Sequence, residues 1–440
     1  MKISWFVFVC AALKLSGTEE VLSPTDWNNR GSSLYAAHRY QEAGSCFEKG
    51  WQLQQRQQQG PDHTIAATIL TNLAATRRAQ ARFPEAERLY LEALGFREAQ
   101  TGLDREGVAI TLKGLTLLYL EAGNDEKAEE FGRRALTLRE KNPDAPGARA
   151  DSLNVLSLIL LNEGRFDEAE ALAKKAMDAI AGLPPHNGEQ WGAALNTLGR
   201  VSLARAQFSA GERYFGRAAT VMMQALGDQS AAVAAIWSNL GKAKAGEGDW
   251  RSATELFDRS VTIFKAIYGE VHPNVASCLS NAAGVYWARK KYAMAEQLYQ
   301  RAWQIDLQVF GSNHPKVASD LSNLGAVAFH RRHLKQAELL ISRALQIDEL
   351  TLRPDHPDIG LNSGNLAVIY WRQKKFGEAG PLFARAAAIR QHTYGPRDPS
   401  LVNLLSEYAS ALRANNQFGE AAKAQMQANT IRVTNLLHPR

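Results

Sequence analysis

The sequence has little cysteine and little excess charge, and both shortages narrow its possible functions. Only three of its 440 residues are cysteine, Cys10, Cys46 and Cys278, too few for a disulfide scaffold or a cysteine-rich zinc site. Lysine plus arginine exceed aspartate plus glutamate by 51 − 45 = 6, which for this length does not by itself indicate nucleic-acid binding. Hydrophobic residues still make up 45%, so the chain can bury a core.

The sequence also lacks the short motifs of common catalytic and nucleotide-binding sites. It contains no HExxH, GxxxxGK[ST], GxSxG or CxxC pattern. His272, His314 and His356 recur every 42 residues and raise the alternative of a metal site. Stacked repeats lie about 10 Å apart, whereas zinc ligands lie within about 2.1 Å of the metal, so helix capping is the favoured role. We therefore expect no metal, no cofactor and no catalytic residue.

The chain has one markedly apolar run, at its amino terminus. Residues 3–13 follow Lys2 and are apolar except for Ser4, a length that suits the hydrophobic part of a secretory signal peptide. A membrane helix needs about 20 apolar residues, so we expect no membrane span. We predict a signal peptide over residues 1–17 and export to the periplasm or medium. The alternative is a buried N-terminal helix over the first repeat, in a cytoplasmic protein.

The remainder of the chain is built from one repeated unit. The phrase aromatic-x-x-Ala recurs, as in Tyr292/Ala295, and its small residue returns after 43, 42, 41 and then six times 42 residues. A second small residue seven positions later shares the same helix face, because seven residues complete two helical turns. Large apolar residues alternate with the small ones and fill the space between helices. The ten anchor residues are Ala43, Ala86, Ala128, Ala169, Gly211, Ala253, Ala295, Ala337, Ala379 and Ala421.

Each unit is predicted to be two amphipathic helices that cannot bury their apolar faces alone. Linkers such as Gly269–Pro273 and Gly311–Pro315 place glycine after one helix and proline in the first turn of the next, where both residues are favoured. Stacking of the units would make one continuous core. The sequence therefore predicts an all-α solenoid of ten helix-turn-helix repeats over residues 24–437.

These repeats resemble a known family, the tetratricopeptide repeat proteins. The 42-residue period and the Gly-x-x-His-Pro linker resemble more narrowly the repeat type of the kinesin light chain. The resemblance is strong over residues 230–400 and looser where Asp125 replaces the aromatic residue. It implies a right-handed superhelix whose concave face holds a peptide, without implying a motor partner. The residues that carry it are Val275-Ala276, Asn281-Ala282-Ala283 and Tyr286, and Val317-Ala318 and Asn323-Leu324-Gly325.

By resemblance, the concave face is lined by the first helix of each unit, at the position fourteen before the anchor. Four consecutive repeats carry asparagine there: Asn239, Asn281, Asn323 and Asn365. Asparagine is a poor helix former, so an interaction outside the helix must favour it. An amide can donate and accept hydrogen bonds, which suits an extended peptide backbone. The alternative, compatible with the first, is a structural ladder in which these amides bond to one another or to the adjacent helix.

Aromatic and basic side chains flank the asparagines. Trp287, Phe329 and Trp371 stand six residues further along three successive first helices, and we expect them to select ligand side chains. The alternative is that these rings pack between repeats. Arg200 and Lys242 reach the same groove in the fifth and sixth repeats and suit an acidic side chain or a C-terminal carboxylate.

Basic clusters also recur at the turns between paired helices, and they offer a second kind of surface. Stacked, the last three clusters would form a positive rim that could hold a polyanion or an acidic protein. Simple solvation of the turns is the alternative. We predict a non-catalytic scaffold that binds a protein or peptide partner in its groove, with a polyanion-binding or nucleic-acid-binding regulator as the less favoured alternative. The clusters are Arg77-Arg78, Arg289-Lys290-Lys291, Arg331-Arg332-His333 and Arg372 with Lys374-Lys375.

Overall fold

The chain folds into helices, as its repeat predicts. The computed structural model describes residues 22–37, 39–57, 62–80, 82–99, 104–141, 145–181 and 188–437, and the expected signal peptide over 1–17 lies outside them. In the described ranges there are twenty α-helices and no strand. The helices are α1 (Pro24–Ala36), α2 (Tyr40–Gln55), α3 (His63–Ala79), α4 (Phe83–Glu98), α5 (Arg105–Glu121), α6 (Asp125–Glu140), α7 (Pro146–Asn162), α8 (Phe166–Ile180), α9 (Gly188–Ala204), α10 (Phe208–Leu226), α11 (Ala231–Gly246), α12 (Trp250–Tyr268), α13 (Pro273–Ala288), α14 (Tyr292–Phe310), α15 (Pro315–His330), α16 (Leu334–Thr351), α17 (Pro357–Arg372), α18 (Phe376–Tyr394), α19 (Ser400–Ala414) and α20 (Phe418–Leu437).

Consecutive helices pack in pairs, which we number hairpins 1 to 10, from α1 with α2 to α19 with α20. Each pair is in extensive contact, and the second helix of each pair also packs against the first helix of the next. This is the solenoid of helix-turn-helix units that the sequence predicts, and the expected all-α fold class is confirmed. Within the described ranges, no helix is both long enough and apolar enough to cross a membrane.

Small residues let large rings enter the space between paired helices. All ten anchor residues are buried, from Ala43 to Ala421. In hairpin 5, a Cβ atom on Gly199 would lie only 2.5 Å from Cε1 of Phe215, whose side chain is fully buried. Since real Cβ atoms do not approach this closely, any larger residue there would displace the ring or the helix. The alternation of small and large residues therefore sets the distance between the paired helices.

The His-Pro linkers begin helices as the sequence predicts. His272, His314 and His356 are the N-cap residues of α13, α15 and α17, and each Nδ1 accepts a hydrogen bond from the backbone N–H two residues later, at 3.1–3.2 Å. Proline follows at the first helical position, where it needs no hydrogen-bond partner. Desolvation lowers the pKa of His272 and of His314 to about 4, so both rings are neutral at pH 7 and able to accept.

The solenoid also touches itself after five hairpins, which the sequence did not reveal. The ring of Tyr40 in hairpin 1 stacks on Tyr268 in hairpin 6, with centroids 6.2 Å apart. The ring of Phe83 in hairpin 2 lies 5.6 Å from that of Phe310 in hairpin 7. One superhelical turn therefore takes about five repeats. We call hairpins 1–5 the first turn, hairpins 6–10 the second turn, and the contact between them the seam.

The seam continues along the same register of the repeat. Phe83 also lies 6.0 Å from the ring of His314, and the His272 ring hydrogen-bonds to the backbone of Ala79. In hairpin 3, desolvation raises the pKa of Asp125, and the nearby charges of His356 and Arg353 oppose that rise. Contacts between hairpins 1 and 6, 2 and 7, and 3 and 8 thus use equivalent positions.

Candidate peptide groove and the seam beside it

The first helices of the hairpins line the inner face of the superhelix. Helix α7 packs directly against α9, and similar contacts join α1 to α3, α3 to α5 and α17 to α19. Second helices in the described ranges have no comparably extensive contact with one another. Curvature brings together the elements on the concave side, so this pattern places the odd-numbered helices inside. The groove position expected from the resemblance is therefore on the inner layer.

Two of the four candidate asparagines are tied to the preceding hairpin. Asn239 donates from Nδ2 to Oδ1 of Asn196 at 3.0 Å, and Asn281 donates to Oγ of Ser238 at 3.2 Å. Asn72 bonds Asn28 in the same way at 2.9 Å. Each bond joins successive first helices, so at these positions the structural-ladder interpretation describes what the amides do.

The other two asparagines, Asn323 and Asn365, are half-buried and have no side-chain hydrogen bond to any described residue. Asn323 lines an open cavity of about 430 Å³ on the inner face together with Asn281 and Lys242. An amide without a partner beside open space keeps both its donor and its acceptor capacity. Of the four equivalent asparagines, Asn239 and Asn281 therefore bond to the preceding first helix, whereas the amides of Asn323 and Asn365 have no partner among the described residues.

The basic side chains of the groove are close together and desolvated. Desolvation lowers the pKa of Arg200, and desolvation followed by the charges of Arg200 and Lys316 lowers the pKa of Lys242. Lys242 is nevertheless exposed to solvent, as expected for a side chain that points into a hollow surrounded by protein. Neither Arg200 nor Lys242 forms an ion pair within the described ranges. The carboxyl groups nearest to these cations are those of Asp306 and Asp320, which line the same cavity as Lys242.

An acid pair lies in the same wall and was missed from the sequence. Asp306 of α14 and Asp320 of α15 are each only 4% exposed and line the same cavity, close enough for each to shift the pKa of the other. Burial, and next the charge of Asp306, raise the pKa of Asp320 to about 8, so the pair holds one shared proton at pH 7. Ser280 donates to Asp320 at 3.3 Å. The sequence signal was weak: Asp306 and Asp348 lie 42 residues apart, in a row of the repeat that also holds Met222, Phe264 and Arg390.

The three candidate aromatic residues differ in exposure. Trp287 is 37% exposed, and its ring lies 5.5 Å from that of His330. Phe329 packs against the core around Ile341. Trp371 packs against the core of the last two hairpins, with the guanidinium of Arg372 lying 4.8 Å from its ring centre. Only Trp287 presents a large free surface, whereas the other two rings contribute to packing between repeats.

The basic turns are partly neutralised. Arg331 pairs with Glu296, and Lys375 pairs with Glu338 at 2.9 Å. Arg77 is buried and pairs with Glu48 and Glu85, so the first cluster is part of the structure. Cys46 and Cys278 are buried free thiols, as expected. Among the described residues, no group of three or more His, Cys, Asp or Glu side chains is arranged to hold a metal ion.

Comparison with known proteins places these repeats in a family. The tetratricopeptide repeat family matches residues 25–99, 82–141, 192–266, 232–308, 281–350 and 358–432, and a second tetratricopeptide repeat pattern matches 149–180.

The chain belongs to the tetratricopeptide repeat family.

The expected family is thus confirmed, and tetratricopeptide repeats are typical of protein-interaction scaffolds. No curated protein matches significantly in sequence. Among solved structures, the chain is similar to BtubC (BKLC) from P. vanneervenii, with 21% identity and a TM-score of 0.41 over 54% of this chain and 91% of that one. It is also similar to a putative kinesin light chain with nearly identical TPR-like repeats from Podosopora anserina, with 20% identity and a TM-score of 0.38 over 47% of this chain and 97% of that one.

Proposed function

We propose that this tetratricopeptide repeat protein is a non-catalytic scaffold that binds an extended peptide along the inner face of hairpins 6–9. The observation that carries the proposal is the pair of half-buried amides on Asn323 and Asn365, which have no partner among the described residues. Asparagine disfavours a helix. Without a bond to the neighbouring helix, its presence is best explained by a ligand.

The spacing of the repeats suits an extended chain. Equivalent positions in stacked repeats lie about 10 Å apart, and an extended polypeptide advances about 3.3 Å per residue. Asn323 and Asn365 would therefore contact peptide groups about three residues apart. Asn239 and Asn281 would act indirectly, because their bonds to Asn196 and Ser238 hold the first helices in register.

Charge gives the bound peptide a direction. Arg200 and Lys242 have no ion pair within the described ranges, and Lys316 lies close enough to lower the pKa of Lys242. A carboxylate from the ligand would relieve this repulsion and form charge-assisted hydrogen bonds. We infer that an acidic side chain or the C-terminal carboxylate lies towards hairpins 5 and 6, and that Trp287 contacts an apolar side chain further along.

The test is a peptide-library screen with two matched double variants. The first variant is Asn323→Ala with Asn365→Ala, which removes the free amides. We expect it to weaken the selected peptides at least tenfold with unchanged helix content and a thermal midpoint that is equal or higher, since no bond within the protein is lost and alanine favours a helix.

The control variant is Asn239→Ala with Asn281→Ala, which removes the two bonds between helices. It should lower the thermal midpoint and affect binding less than the first variant. Peptide affinities unchanged in Asn323→Ala with Asn365→Ala would contradict the groove proposal. A salt titration separates the less favoured polyanion alternative, because a nucleic-acid complex weakens by orders of magnitude between low and moderate salt.

A further inference from the structure

One cavity of the inner face, among hairpins 6–8, is rich in hydrogen-bond donors. It has a volume of about 430 Å³ and is lined by Lys242 of α11, by Ser277 of α13, and by Lys316, Ser319 and Asn323 of α15. The three residues of α15 are three and four positions apart, so their side chains leave the helix on one face. Donors from successive first helices therefore surround the same space.

The donors that line the cavity have no partner in the described part of the protein. Lys242 and Lys316 form no ion pair with a described residue. The side chains of Ser277, Ser319 and Asn323 form no hydrogen bond with one, and both serines are exposed. Lysine can only donate hydrogen bonds, and hydroxyl and amide groups can donate as well as accept. The cavity therefore suits a ligand with many acceptors.

The two hydroxyls are local to hairpins 7 and 8 and are not a feature of every repeat. The position of Ser277 and Ser319 holds Ala235 in hairpin 6 and Leu361 in hairpin 9, so packing between repeats does not require a hydroxyl there. The cavity is also lined by Gly284, at the position where the preceding repeat has a lysine. The absence of a side chain at this position keeps the space open.

The charge of the cavity suits a dianion. The wall contains the acid pair Asp306 and Asp320, which holds one proton at pH 7 and so offsets only one of the two lysine charges. Arg200 adds a further cation, close enough to lower the pKa of Lys242. A carboxylate brings one negative charge and two oxygens, whereas a phosphate monoester brings a charge of about −2 and three terminal oxygens. The phosphate matches both the charge and the number of donors.

The first turn does not add net charge beside this cavity. Glu121 lies near Lys316 across the seam, where the charge of the lysine lowers the pKa of the carboxyl. Glu121 is itself paired with Arg78. The positive charge of Lys316 is therefore still directed to the groove.

We propose that the acidic side chain of the groove ligand is a phosphorylated serine or threonine, whose phosphate enters this cavity and binds the two lysines and the hydroxyls of Ser277 and Ser319. This inference rests on the proposed groove function and deepens it, because it names the acidic group of the ligand. A phosphate carried by a peptide is favoured over free phosphate because Asn323 lines the same cavity and can bind the peptide backbone at the same time.

The experiment compares three pools of peptides of about nine residues, which are degenerate except for a central phosphoserine, glutamate or serine. We expect the full-length wild-type protein to bind the phosphoserine pool at least tenfold more tightly than the serine pool and about fivefold more tightly than the glutamate pool. Lys316→Gln with Ser319→Ala should abolish this preference without changing the affinity for the serine pool. Its helix content should be unchanged, because neither side chain makes a bond within the described structure.

The matched control is Lys335→Gln, which removes an exposed lysine without an ion pair to a described residue from α16 of the same hairpin. It should leave all three affinities within about twofold. If the glutamate and serine pools bind as tightly as the phosphoserine pool, the groove proposal stands and the phosphate site is wrong. If none of the pools binds, both proposals fail. The phosphate site is also overturned if Lys316→Gln with Ser319→Ala keeps the preference, or if inorganic phosphate alone binds as tightly as the phosphoserine pool.

Discussion

The two turns of this solenoid differ at one edge of the repeat: in the first turn this edge is covered by the second turn, and in the second turn no described hairpin covers it. In hairpins 1 and 2, the aromatic residues at the start of the second helix, Tyr40 and Phe83, contact the ends of second helices five repeats later. Among the described residues, the equivalent edge of hairpins 7–9 contacts no hairpin five repeats away. A repeat protein is usually described by contacts between nearest neighbours. Here position along the chain decides whether an edge closes the fold or remains a surface.

The largest expected effect comes from breaking the seam with Tyr40→Ala and Phe83→Ala. The double variant removes both ring pairs between the turns and should destabilise the closed form by about 3 kcal/mol, since both rings are only half-buried. Phe83 also packs against the core of the first hairpins and Tyr40 against Tyr35, but the backbone hydrogen bonds of the helices are kept, so helix content should change little. We expect small-angle scattering to show a longer maximum dimension.

The matched control lies on the uncovered edge. Trp287→Ala removes an aromatic side chain of similar exposure that contacts no other turn, so the scattering curve should not change. If the seam variant also scatters like the wild-type protein, the contact between the turns does not hold them together. In that case the comparison of covered and uncovered edges would lose its basis.

The second expected effect concerns two neighbouring interfaces between hairpins of the second turn. One holds a pair of aspartates, and the other holds an aspartate and an asparagine. Between hairpins 7 and 8, Asp306 meets Asp320. Between hairpins 8 and 9, Asp348 accepts a hydrogen bond from Nδ2 of Asn362 at 2.7 Å. Asp320→Asn should convert the first arrangement into the second, because the amide donates without needing a proton from solution.

The sign of the pH dependence follows from the raised pKa of Asp320. Its folded-state pKa of about 8 lies above the ordinary value of 3.8 for an aspartate, so its contribution to stability is full below pH 3.8 and is lost as pH rises through 8. Asp320→Asn should therefore raise the free energy of unfolding by roughly 2 kcal/mol at pH 8 and by much less at pH 4.5. Thermal unfolding at both pH values measures this difference.

The reciprocal change makes the test symmetric. Asn362→Asp should create a second acid pair and destabilise the protein at pH 8 by a similar amount. Equal stability of the wild-type protein and Asp320→Asn at pH 8 would show that the acid pair does not destabilise the folded state at that pH.

Much of the fold could be predicted because the repeat encodes it locally. The anchors, the rings beside glycine and the His-Pro caps are each set by residues within one hairpin or its neighbour, so a 42-residue period was enough to find them. The ladder bond of Asn239 also crosses only one repeat. The sequence alone could not show which candidate asparagines are hydrogen-bonded to a neighbouring helix and which are free, since Asn281 and Asn323 occupy equivalent positions in the repeat.

The seam could not be predicted in the same way, because it depends on curvature accumulated over five repeats. Tyr40 and Tyr268 lie 228 residues apart, and a small rotation per repeat decides whether they meet. Asp320 was missed for a related reason, since its partner Asp306 belongs to the preceding hairpin and no motif marks the pair. Long-range contacts of this kind need the three-dimensional path of the chain.

The smallest expected effect tests the left-handed position in the turn between paired helices, which is glycine in some repeats of both superhelical turns and a larger residue in others. Gly248 has φ of +84°, and a Cβ atom added there would have no atom within 4 Å. Gly248→Lys should therefore lower stability only through the backbone conformation, by about 1 kcal/mol, measured by urea unfolding.

A second glycine separates conformation from charge. Gly216 lies within α10, where an added Cβ atom also has no atom within 4 Å, and Gly216→Lys should raise stability by roughly 0.5–1 kcal/mol because glycine disfavours a helix. The two variants carry the same charge and should shift stability in opposite directions. If they do, the left-handed backbone conformation favours glycine at this position, although Ala206, Lys290, Arg332, Lys374 and Asn416 occupy it in other repeats. If Gly248→Lys is neutral, the turn accommodates a side chain without loss of stability.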